Sequence, residues 1–117
     1  MSTISDCVFC KIVASQIPAS IVHRDEQLVA FEDISPQAPM HVLIVPVEHV
    51  ASTNALSDEH DALIGRAMRL AATLARQRGY SESGYRIVVN TGSDGGQTVN
   101  HLHIHVLGGR QFSWPPG

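Results

Sequence analysis

The chain has 117 residues, 44% of them hydrophobic and 16% charged, with a formal net charge of -3. That length supports one real core and not two, so a single domain over 1–117 is expected. Eight Lys and Arg residues with no basic cluster leave no footprint for nucleic acid. With no membrane-length apolar run and no signal peptide, the expected location is the cytoplasm.

Residues 1–6 are polar and expected to fray. Cys7 and Cys10 follow in Cys-Val-Phe-Cys, a spacing that fits a redox pair, half of a metal site or two inert thiols. A thioredoxin-like pair would follow a strand and open a long helix, which this N-terminus does not offer. Phe9, Ile12 and Val13 have helical spacing, so a short helix over 8–14 is predicted before Pro18. Strands are predicted over 20–23 and 28–31, joined by a turn at Arg24-Asp25-Glu26-Gln27. A proline-stiffened loop, 34–39, leads to His41-Val42-Leu43-Ile44-Val45-Pro46, which is apolar enough to be a central strand covered on both faces.

Ser57 is the expected N-cap of a long helix, with Asp58 and Glu59 placed favourably against its dipole. Leu63, Ala67, Leu70, Ala71 and Leu74 supply the apolar stripe, and Gly79 ends it. A fourth strand is predicted over 85–89. The glycine-rich loop 90–98 follows, and a loop of exposed N–H groups would cradle phosphate. From Asn100, histidine and aliphatic residues alternate, so a strand would place His101, His103 and His105 on one face, about 6.8 Å apart in sequence steps of two. That spacing disfavours all three on a single metal, although one or two could join ligands from elsewhere, and one nucleophile flanked by proton carriers fits it better. The tail 108–117 carries Phe112 and Trp114, which should pack on something. Five strands and one long helix, joined mostly by short loops, give an α+β fold: an antiparallel sheet with its helices on one face.

These residues resemble a known family. His101-Leu102-His103-Ile104-His105-Val106-Leu107 is similar to the signature of the histidine triad superfamily. The stretches 33–39 and 92–97, with the ending Trp114-Pro115-Pro116-Gly117, resemble its Hint branch, the purine nucleoside phosphoramidases. The resemblance spans Cys7 to Gly117. It implies a five-stranded antiparallel sheet with one long and one short helix, extended across a homodimer. It also implies binding of purine nucleoside monophosphates and cleavage of their phosphoramidates through a nucleotidyl-histidine, with no cofactor required for catalysis.

On the same resemblance, His103 is the nucleophile, His105 stands beside the phosphate, and His41 and His101 complete an imidazole relay. Asp33 holds the ribose. Val8, Phe9, Ile12, Phe31, Ile34 and Leu43 line the base pocket, while Asn90, Gly96, Gln97 and Thr98 contact phosphate. Trp114 reaches the partner's site and helps choose the leaving group. Thr98 departs from the usual serine and Asn100 from the usual aromatic. Cys7 and Cys10 match bacterial members that hold a structural zinc with two histidines, here His49 and His101, so His101 is claimed by both the relay and the metal. A zinc-dependent hydrolase and a non-catalytic nucleotide-binding scaffold are the alternatives.

Overall fold

A computed structural model describes residues 6–117; the fraying expected at the N-terminus lies, apart from Asp6, outside them. Helix α1 spans Val8–Val13, and strands β1 and β2 span Ile21–Arg24 and Leu28–Glu32. Strand β3 is Met40–Pro46, α2 is Asp61–Gln77, β4 is Tyr85–Val88 and β5 is Ile104–Gly108. The sheet order is β1-β2-β3-β5-β4 and every pairing is antiparallel.

All seven residues of β3 are buried, and its register explains how. Alternate strand residues face opposite sides. Met40, Val42 and Ile44 join Leu28, Ala30, Ile104 and Val106 in a core closed by Leu63, Ala67, Ala71, Leu74 and Ala75 of α2. Small alanines on that stripe let the helix lie close to the sheet. On the other side, Leu43 and Val45 pack with Val29, Phe31 and the α1 residues Phe9, Ile12 and Val13. The expectation of helices on one face is therefore corrected: α1 covers the face opposite α2. A central strand apolar on both sides needs cover on both.

Ser57 does not open α2 directly. A 3-10 turn, Asp58–His60, intervenes, with the Ser57 N–H donating to His60 Nδ1 at 3.0 Å, and α2 starts at Asp61. Its other end matches the glycine reading. Gly79 has φ +86°, its N–H donates to the Arg76 carbonyl, and the Tyr80 N–H reaches back to Ala75, which is a Schellman motif.

In the tail, the two aromatic residues differ. Phe112 packs under Arg110 and Arg86, whose guanidinium carbons lie 4.2 and 5.2 Å from its ring centre. Trp114 is 82% exposed in the protomer.

Candidate active site

The histidine strand begins later than its alternation suggests. Ladder pairing starts at Ile104, and residues 101–103 lie outside the assigned strand. Three other hydrogen bonds hold that segment. The Leu102 N–H donates to the Val50 carbonyl at 2.6 Å. His101 Nε2 meets the Pro46 carbonyl at 2.9 Å, and His103 Nδ1 meets the His101 carbonyl at 2.8 Å. The alternation of faces persists: Leu102, Ile104 and Val106 are buried, and the His103 and His105 rings stand 5.1 Å apart on the other side.

Protons can be placed on these rings from their partners alone, since a carbonyl only accepts and a backbone N–H only donates. His103 must carry its proton on Nδ1, facing the His101 carbonyl, which leaves the Nε2 lone pair free. The Gln37 N–H donates to His41 Nδ1 at 3.0 Å, so a neutral His41 carries its proton on Nε2. That nitrogen lies 2.9 Å from His105 Nδ1, which must then accept, and His105 presents Nε2–H. The two central imidazoles thus hold opposite tautomers: His103 offers a lone pair and His105 a proton.

Register brings His41 and His105 together. His41 pairs with Leu107 and Leu43 with His105, making the two histidines diagonal neighbours on one face. Asp33 Oδ2 lies 3.4 Å from His41 Nε2, and its other oxygen accepts the Ser35 N–H. Burial, reinforced by the neighbouring His103 and His41, pushes the His105 pKa down to about 4 against the opposing pull of Asp33. Burial likewise lowers that of His41, with Asp33 again opposing.

An unfolded His105 titrates near 6.5, so between about pH 6.5 and 4 the unfolded chain binds a proton that the folded chain refuses. The stability contributed by this neutral imidazole is whole above that window, is lost as pH falls through it, and levels off below. With chelator present to silence the thiol cluster, the melting temperature of the wild type should fall more steeply from pH 7 to 4.5 than that of His105→Gln.

Beside these rings opens a cleft of about 410 Å³. Val8, Phe9, Ile12, Phe31, Ile34 and Leu43 line it, as do Asp33, Thr98, His103 and His105. Sequence reasoning missed five of its lining residues: Ile17, Pro18, Ala19 and Val99, which lie in irregular segments with no periodicity to mark them, and Glu32 at the end of β2. It also missed the backbone groups of Gln37, Pro46 and His101, which no side-chain pattern could reveal.

In the glycine loop, the N–H groups of Gly92, Gly96 and Gln97 are engaged within the loop itself. Gly96 and Gln97 N–H groups donate to Ser93 and Gly92 carbonyls, and the Gly92 N–H donates to Gln97 Oε1. Gln97 Nε2 donates to the Ala51 and Val99 carbonyls, while Asn90 Nδ2 holds the Gly95 carbonyl. Asn90, Gly96 and Gln97 therefore fix the loop's shape, and Thr98 is the one of the four to line the cleft. A Cβ at Gly95 would sit 2.3 Å from the Thr91 carbonyl oxygen, so the turn closes only with glycine there.

Among the described residues, two clusters have the side chains of a metal site. Cys7, Cys10, His49 and His101 bring their donor atoms within 4.8 Å of one another. Cys7 Sγ and Cys10 Sγ lie 3.4 and 3.5 Å from His101 Nδ1, and Cys10 Sγ lies 3.3 Å from His49 Nδ1. Tetrahedral zinc would hold sulfur and nitrogen ligands about 3.5 Å apart. His101 Nε2–H is committed to the Pro46 carbonyl, which fixes the tautomer and leaves Nδ1 free to ligate. This donor set fits zinc. Asp33, His41 and His105 are also close, but the Gln37 N–H occupies His41 Nδ1, so Nε2 keeps its proton and has no lone pair for a metal. The His101 ring belongs to the first cluster, and only its carbonyl touches His103.

The HIT domain family matches residues 14–112. The chain belongs to the HIT family. Purine nucleoside phosphoramidase of Escherichia coli K12 is 47% identical over 105 residues, covering 90% of this chain and 88% of that one. A HIT family hydrolase of Legionella pneumophila superposes with a TM-score of 0.94 at 49% identity, over 96% of this chain and all of the other. A zinc-bound histidine triad family protein of Mycobacterium smegmatis gives a TM-score of 0.78 at 32% identity, over 90% of this chain and 76% of that one. Among the described residues of this HIT protein, no helix is long and apolar enough to cross a membrane.

Proposed function

We propose that this HIT protein hydrolyses nucleoside 5′-phosphoramidates, with purine nucleotides as its substrates, through a covalent nucleotidyl group on His103. The observation that carries the reading is the pair of opposite tautomers, a free lone pair on His103 beside an N–H on His105. The apolar end of the cleft suits a base, Asp33 suits the ribose hydroxyls, and Thr98 suits a phosphoryl oxygen. The Escherichia coli relative and the Legionella hydrolase support the same chemistry.

His103 Nε2 attacks phosphorus and the phosphorus–nitrogen bond breaks. Binding of the anionic phosphoryl group favours a proton on the His41–His105 pair, whose charge Asp33 offsets, and that proton departs with the amine. Water then attacks the nucleotidyl-imidazole, restores His103 and returns a proton to the pair. Zinc on Cys7, Cys10, His49 and His101 would supply structural cross-linking of α1 to the body; the reaction itself needs only the chain's own groups. The test is turnover of adenosine and guanosine phosphoramidates with and without chelator: release of mononucleotide and free amine is expected, and its absence for both overturns the reading.

A second copy of the chain is the expected partner, in a homodimer. Trp114 is 82% exposed, and Val89 beyond the β4 edge is exposed too, while an unpaired sheet edge invites pairing. Light scattering should give twice the protomer mass of 12.7 kDa at micromolar concentration; a stable monomer would count against it.

A further inference from the structure

The thiol–imidazole cluster and the cleft share parts, by two separate routes. The first runs through His101. Its ring is fully buried among Cys7, Cys10 and His49, and its carbonyl fixes the proton of His103. Because ladder pairing begins only at Ile104, the segment 101–103 is positioned by that ring, by the Leu102 N–H bond to Val50 and by the buried Leu102 and His103 side chains. The second route runs through α1. This helix has six residues, far fewer than a helix needs to persist alone, so its position is set by what its side chains are tied to. Cys7 at its N-cap and Cys10 one turn on both enter the cluster. Val8, Phe9 and Ile12, on the same turns, form a wall of the cleft. Phe9 touches both systems, with its ring 5.9 Å from that of His101 and 5.0 Å from that of His103.

We infer that zinc occupancy of the Cys7, Cys10, His49 and His101 site sets both the aim of the His103 imidazole and the closure of the nucleoside cleft, so that the metal tunes nucleotide affinity as well as stability. His101 is then a positioning residue, linking ligand and nucleophile through its own backbone. The inference rests on the nucleotide reading for its substrate side alone. With zinc bound, the cluster holds α1 and the 101–103 segment as one body. Without it, Cys7 is left as a weak cap, its Sγ 3.4 Å from the Cys10 N–H, and the cleft wall is free to shift.

The experiment compares protein stripped by chelator with the same protein reloaded with zinc, reading AMP affinity by calorimetry and the side-chain nitrogen shifts of His103 by NMR. Zinc removal should weaken AMP binding by about tenfold and move His103 from one tautomer to an averaged signature. His49→Ala should reproduce both changes, because His49 lines no part of the nucleoside cleft. Ala71→Gly, which destabilises from the far side of the sheet, should change neither. Zinc uptake with unchanged AMP affinity and an unchanged His103 signature overturns the inference, as does failure to take up zinc. Unfolding on stripping also overturns it, since the site would then be a staple only. If AMP binds neither form, the nucleotide reading fails, and the His103 signature, which needs no nucleotide, decides the inference by itself.

Discussion

His103→Ala is expected to lose at least about a thousandfold in turnover while binding AMP within about threefold of wild type. The asymmetry follows from the geometry. Asp33, Thr98 and the apolar wall remain in place, whereas no other imidazole in the cleft has a free lone pair: His105 Nδ1 is taken by His41, and His41 Nδ1 by the Gln37 N–H. His103→Asn keeps much of the side-chain volume and should lose as much. Two displacements at phosphorus also require net retention for a chiral phosphorothioate substrate. Acid quench of the wild type should trap labelled nucleotide on a peptide containing residue 103, and the variants should trap none. Inversion would show that water attacks directly, leaving His103 at most a base.

His105→Gln should divide substrates by leaving group. An alkylamine cannot depart without a proton, so losing the donor should cost about 10²–10⁴ in rate. A leaving group that departs as a stable anion, such as p-nitrophenolate, needs no proton and should lose less than about tenfold. Glutamine can still donate a hydrogen bond, which keeps phosphate binding while removing proton transfer. Equal losses on both substrates would assign His105 to phosphate binding alone.

The long helix was legible because burial imposes a period that α2 obeys over several turns, and β3 because it is a nearly unbroken apolar run too short for a helix. The side of the sheet taken by α1 was not legible, since six residues carry too little pattern to say which face of β3 they cover. At the site, the residue types were readable and their connections were not. His101 is the plainest case. Its sequence position fits both a relay and a metal, and only the structure separates the two, sending the ring to the thiols and the carbonyl to His103. Gln97 gave a different lesson: a residue in a phosphate-binding pattern can act by bracing the loop. Trp114 shows the limit of burial arguments on a single chain, because apolar surface that should be covered need not be covered by its own protomer.

The central ladder joins β3 to β5, two strands separated by about sixty residues of chain. At synthesis rates of about 5–20 residues per second, that gap takes about 3–12 s to make. For that interval β3 is out of the ribosome with one edge open and without the partner that helps bury it. Ile44 and Val42 wait for Ile104 and Val106, and His41 waits for His105. The nascent chain therefore carries its most aggregation-prone strand, seven residues of unbroken burial, for seconds before it can be closed. Catalytic competence arrives together with the last safe pairing of the fold, so a chain lacking β5 would be both sticky and inactive.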